Sequence, residues 1–139
     1  MKKSQSLVSL KFVTDSDTKF LFDLLKERDS NTNISHKKMP TYNEHTKFIK
    51  SKPYSRWYII ILEKEKIGSI YLSKHDEIGI FLKKRWERND IRLDSLKKLM
   101  KRNPRRRYLA NVNPKNKKLI SFWKENDFHL VSFSYELEK

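Results

Sequence analysis

The side chains able to do chemistry in this chain are mostly cations. Lys83, Lys84, Arg85, Arg88 and Arg92 fall within ten positions that hold two acids, Glu87 and Asp90, for a local charge of +3. Lys115, Lys117 and Lys118 flank Asn116, and Lys101 to Arg107 forms a third basic run. Clusters of this kind gather anions, and the 32 Lys and Arg against 17 Asp and Glu, a net +15, point to an anionic partner. Part of the bias toward Lys and Asn is also what an AT-rich genome produces. Absent residue types exclude other chemistry. With no cysteine there is no thiolate nucleophile, no disulfide and no cysteine zinc site, which fits a cytoplasmic protein. The four histidines, His36, His45, His75 and His129, lack metal-ligand spacing, so no metal is expected. Two glycines in 139 residues leave no Gly-rich dinucleotide or P-loop fingerprint.

The elements that must position these groups can be read from periodicity. Ser9 to Val13 reads as a strand, and Asp17 can cap a helix carrying Phe20, Leu21, Leu24 and Leu25 that ends near Arg28-Asp29. Ser30 to Pro40 reads as loop. Thr41-Tyr42-Asn43-Glu44 matches a capping box opening a helix with Phe48 and Ile49 inward. Arg56 to Leu62, with Ile59-Ile60-Ile61 buried on both faces, and Ile67 to Leu72 form a hairpin about the charged turn Glu63 to Lys66. Glu77 to Leu82 is the next strand, followed by a helix with Leu93, Leu96, Leu99 and Met100 that Asn103-Pro104 stops. Arg107 to Val112 is a strand, Leu119, Phe122 and Trp123 share a helical face, and Val131, Phe133, Tyr135 and Leu137 alternate as a closing strand. The chain is 37% hydrophobic, enough for one core, so residues 1–139 are expected to form one domain. No apolar run approaches 18 residues and no hydrophobic signal core follows Met1, so neither membrane spanning nor classical secretion is expected.

The order β-α-α-β-β-β-α-β-α-β predicts an α/β fold, a mixed central sheet with helices on both faces. That order resembles the GNAT acetyltransferase superfamily. The segment from Ala110-Asn111-Val112-Asn113-Pro114-Lys115-Asn116 to Phe122-Trp123-Lys124-Glu125-Asn126-Asp127-Phe128 looks like its C-terminal signature. The resemblance covers essentially the whole chain. Lys26-Glu27-Arg28-Asp29 and Glu44-His45 look most like the branch acting on nucleotide-linked amino sugars.

The resemblance implies transfer of an acetyl group from acetyl-CoA to a primary amine in a ternary complex. It implies that Ile80, Phe81 and Leu82 pair with the pantetheine arm in a gap between the fourth and fifth strands. Arg88, Asn89, Asp90, Ile91 and Arg92 would then meet the pyrophosphate at a helix N-terminus, where free N–H groups and the positive dipole end face an anion. The superfamily's Gln/Arg-x-x-Gly-x-Gly/Ala loop reads Glu87-Arg88-Asn89-Asp90-Ile91-Arg92 here, with none of the three signature positions kept. Asn89 and Asp90 are the best substitutes for a left-handed Gly, and weakened or rearranged cofactor binding is expected. A solvated basic loop over a packing helix is the alternative.

By the same resemblance Glu77 is the general base, with His75 and Asp76 as adjacent alternatives and plain exposure as the structural one. The general acid, usually a Tyr seven residues after the Asn, falls on Trp123, whose indole N–H is no acid; Tyr71 and Tyr135 are the other candidates. Asn116 would touch the coenzyme or simply cap its helix, and Asp127, where the signature has Gly, should be left-handed. The charge suits a small anionic acceptor. The alternatives are a GNAT-fold domain without catalysis and a basic surface that tracks nucleic acid.

Overall fold

The structure is a computed structural model that describes residues 7–28 and 39–139. Five strands, β1 (Ser9–Phe12), β2 (Arg56–Leu62), β3 (Glu65–Leu72), β4 (Glu77–Leu82) and β5 (Leu109–Ala110), lie in chain order across one sheet. The first four run antiparallel to their neighbours and β5 joins β4 in parallel, so the sheet is mixed. The helices are α1 (Thr18–Glu27), α2 (Tyr42–Lys50), α3 (Asn89–Arg102) and α4 (Lys117–Glu125).

Alternation along the strands divides the apolar residues between two layers. Tyr58 and Ile60 of β2 join Leu72, Ile78, Ile80 and Leu82 in a core completed by Ile91, Leu96 and Leu99 of α3 and by Phe122 and Trp123 of α4. Ile59, between Tyr58 and Ile60, faces the opposite side and meets Leu21 of α1 and Ile49 of α2. The Ile59-Ile60 step is therefore buried on both sides, as expected of an uninterrupted apolar run. A bulge between Ile60 and Ile61 resets the parity of β3, which lets Ile67 enter the same core as Ile70 three residues later. The hairpin turn is closed by Glu63 and Lys64, both with positive φ, in a chain that supplies no glycine there.

Several local expectations are met. Thr41 and Glu44 form the reciprocal capping box, with Glu44 N–H donating to Thr41 Oγ1 and Thr41 N–H to Glu44 Oε1. Asn103 ends α3, donating to Leu99 O and Tyr58 OH. Asp127 is left-handed, φ 70°.

Others are corrected. Asp17 does not cap α1 with its side chain. It is wholly buried, accepts from Thr14 N–H, and takes ion pairs from Lys11 of β1 at 2.9 Å and Lys66 of β3 at 2.6 Å, pinning the start of α1 to the sheet. Phe48 is partly exposed, and only Ile49 of the α2 pair is buried. The strand expected over Arg107 to Val112 shrinks to Leu109 and Ala110. The closing strand does not form. Val131, Phe133, Tyr135 and Leu137 are 59–93% exposed, because a period of two makes a strand only where a neighbouring edge offers hydrogen bonds, and β5 is two residues long. The loop expected from Ser30 to Pro40 falls, up to residue 38, outside the described residues.

Candidate active site

The short β5 creates the site. Its pairing with β4 covers only Glu77 and Ile78, so from Gly79 to Leu82 the β5-facing edge of β4 has no strand beside it among the described residues. The splay opens a cleft of about 380 Å³ between β4, the end of α1 and the start of α4. Exposed backbone N–H and C=O groups along such an edge accept an extended ligand as they would another strand.

Of the residues singled out from sequence, Glu77, Ile80, Phe81, Leu82, Arg92 and Asn116 line this cleft together. Arg88, Asn89, Asp90 and Ile91 do not. Ile91 is buried in the core. Arg88 makes a two-point ion pair with Asp90, at 3.1 and 2.6 Å, and Asp90 Oδ1 also accepts the Ile91 N–H. The Arg88 guanidinium holds the Asp90 carboxyl below its usual range. An internal carboxylate thus sits where the helix start presents its free donors. Neither Asn89 nor Asp90 is left-handed; both simply open α3, which corrects the expectation of a tight turn. Arg92 is mostly buried, donates to Asn89 Oδ1 and lies 3.5 Å from Glu87.

Glu77 is fixed at both oxygens. Ser73 Oγ–H donates to Oε1 at 3.2 Å and Asn111 Nδ2–H to Oε2 at 3.0 Å. Its sequence neighbours are turned elsewhere: Asp76 is left-handed and paired with Arg105, and His75 is exposed. Asn116 caps α4 by accepting the Leu119 N–H, and Lys115, Lys117 and Lys118 around it line the cleft mouth. Tyr71 lines the cleft, whereas Tyr135 is 93% exposed on the terminal segment. Trp123 lines it too, its Nε1 buried without a hydrogen-bond partner among the described residues.

Sequence reading named Tyr71 and Arg28 but missed Tyr54, Gly79 and the way these groups meet at the α1 end. Tyr71 stacks on Tyr54 with centroids 3.8 Å apart and planes 2° from parallel. Burial pushes both phenols up, keeping them protonated as donors. Gly79, opposite Tyr71 in the register, is what lets that ring lie across β4: a Cβ there would stand 2.1 Å from Tyr71 Cζ. Arg28 follows α1 directly, its guanidinium carbon 3.5 Å above the Phe81 ring centroid. The available signal was spacing, since Arg28 continues the inward stripe of Leu21 and Leu24. Ser73 and Asn111 carried no local pattern that singled them out.

Comparison of this architecture with solved structures is decisive for the fold. RimL, a ribosomal-protein alpha-N-acetyltransferase solved in complex with coenzyme A, superposes with a TM-score of 0.75 at 18% identity, covering 92% of this chain and 83% of its own. The chain has the GNAT acetyltransferase fold. The other GNAT-fold neighbours include a chimera of the Vibrio cholerae spermidine N-acetyltransferase SpeG, with a TM-score of 0.69 at 14% identity and coverage of 86% and 79%. An acetyltransferase from Thermus thermophilus matches at 0.71 and 17% identity, covering 90% and 88%. No family model and no curated protein matches the chain. The GNAT likeness is thus carried by backbone geometry.

Proposed function

We propose that this protein transfers an acetyl group from acetyl-CoA to the primary amine of a small anionic acceptor. The observation that carries the reading is the unpaired edge of β4 beyond Ile78, opening into a cleft that also holds a doubly anchored carboxylate. The residues fit the coenzyme. Ile80, Phe81 and Leu82 offer backbone donors and acceptors to its amide-bearing arm, and Arg92, Lys115, Lys117 and Lys118 line the cleft for its phosphates. Asn116, with its side chain committed to the Leu119 N–H, shapes the α4 start. When bound, the thioester supplies the acyl carbonyl that an amine attacks.

Glu77 takes the proton of the acceptor ammonium on a carboxylate oxygen, and Ser73 and Asn111 hold it oriented for that task. Tyr71, protonated and beside the Gly79 backbone, would supply the O–H group that returns a proton once the amine has been acylated. Arg88, Asn89, Asp90 and Ile91, outside the cleft lining, form the α3 start that would meet the pyrophosphate. The Asp90 carboxylate occupies the Ile91 N–H, so a phosphate there would have to displace it. RimL and SpeG act, by their names, on a ribosomal protein and on spermidine. A cationic polyamine suits a +15 protein poorly, and a nucleotide-linked amino sugar suits it well.

Isothermal titration with acetyl-CoA, followed by an acetyl-transfer assay on amino sugars, their nucleotide conjugates, peptides and spermidine, tests the reading. Saturable heat and transfer to an anionic amine are expected. The absence of any saturable heat at millimolar coenzyme would leave a scaffold without the reaction.

A further inference from the structure

The cleft contains a cation, Arg28, that makes no ion pair among the described residues. Arg28 lies largely buried against the Phe81 ring, and its Nε–H has no acceptor among the described residues. Each carboxylate lining the cleft is engaged elsewhere: Glu27 accepts the Lys84 N–H, Glu77 is held by Ser73 and Asn111, and Glu87 pairs with Arg92. Among the described residues, the ionisable groups that bear on Arg28 are the phenols of Tyr54 and Tyr71, which burial keeps protonated. The Nε–H, buried without an acceptor, forgoes the hydrogen bond that normally offsets its desolvation. With its carbon 3.5 Å from the ring centroid, the planar guanidinium still carries a fork of N–H donors suited to a two-oxygen anion.

We propose that Arg28, seated on Phe81, is the anion-recognition residue of the acceptor site, taking a carboxylate or phosphate oxyanion that the acceptor carries at a distance from its amine. This rests on the acetyl-transfer reading for the identity of the ligand as an acceptor. Position along β4 sets the spacing. Phe81 is two residues beyond Gly79 and four beyond Glu77, which at about 3.3 Å per residue separates amine and anion by roughly 7–13 Å. The seat also repels a polycation, so Arg28 acts as a filter between acceptor classes.

The protein labelled with ¹⁵N-arginine and saturated with coenzyme A is titrated with inorganic phosphate and, separately, acetate, following the Arg28 Nε–H resonance assigned by its loss in Arg28→Gln. Transfer is measured in parallel on two matched pairs, glucosamine 6-phosphate against glucosamine and trialanine against its C-terminal amide. A saturable shift with at least one anion is expected, together with at least a tenfold kcat/KM preference for the anionic member of one pair. Which pair responds tells phosphate from carboxylate. Arg28→Gln should bring that preference to within threefold of unity, and Arg28→Lys, which keeps the charge without the planar fork, should weaken anion binding at least fivefold while preserving the fold. An unmoved Arg28 resonance in coenzyme-saturated protein, or an unchanged preference in both variants, overturns the proposal and leaves acetyl transfer standing. A saturable Arg28 shift in protein that gives no heat with acetyl-CoA overturns acetyl transfer and leaves the anion seat.

Discussion

At the scale of single residues, the site depends on how firmly Glu77 is held. A carboxylate anchored at both oxygens loses little orientation when an ammonium approaches, and the neighbours that anchor it are Ser73, in the turn before β4, and Asn111, just after β5. Replacing Glu77 with Gln keeps the shape and the size of the group while removing its capacity to take a proton. Turnover should fall by roughly 10²–10⁴-fold with acetyl-CoA affinity unchanged within twofold, measured by steady-state rates and calorimetry on the same preparation. Unchanged turnover would remove Glu77 as the base.

At the scale of elements, α1 is the piece that brings Glu27 and Arg28 to the cleft, and Asp17 is what fixes α1. Burial of Asp17 raises its pKa, but hydrogen bonds from Lys66, Lys11 and the Thr14 N–H outweigh that and draw it from 3.8 down to about 2. A folded-state value below the unfolded one means that the stabilisation is complete above about pH 4 and is lost as pH falls toward 2. The difference is worth roughly 2 kcal/mol. Asp17→Asn should therefore unfold at lower urea at pH 7, by roughly 2–4 kcal/mol, since two lysines lose their buried partner. It should also lack the wild type's extra loss of stability between pH 4 and 2, which equilibrium unfolding at several pH values reads directly. An element-level contrast appears at the other edge. Two residues of β5 suffice to close the sheet at Ile78, and their brevity both opens the cleft and leaves the terminal alternating segment exposed.

At the scale of the whole molecule, the +15 charge acts as a field. The cleft mouth carries Lys115, Lys117, Lys118 and Arg92, so phosphate-bearing ligands meet it already attracted. Raising NaCl from about 50 to 500 mM should weaken acetyl-CoA binding by roughly three- to tenfold, read by calorimetry, because exposed charges beyond a few ångströms are screened. Generic duplex DNA should elute from the protein at salt well below that which releases the coenzyme. The reverse order would favour the basic runs as a nucleic-acid surface. Among the described residues no helix is long and apolar enough to cross a membrane.

Sequence by itself determined what local physics determines. The capping box at Thr41, the stop at Asn103, the left-handed Asp127, the double-sided Ile59-Ile60 strand and the α/β order all follow from side-chain chemistry acting over a few residues. The tertiary structure decided what depends on a partner far along the chain. Whether β5 extends past Ala110, whether the Val131 to Leu137 alternation finds an edge, and whether Asp17 caps or is buried under two lysines are questions of which surface arrives beside them. Arg28 is the clearest case: its type and position were on view, but its charge acquires meaning only when folding sets it on Phe81 beside cleft carboxylates that, among the described residues, bond to other groups.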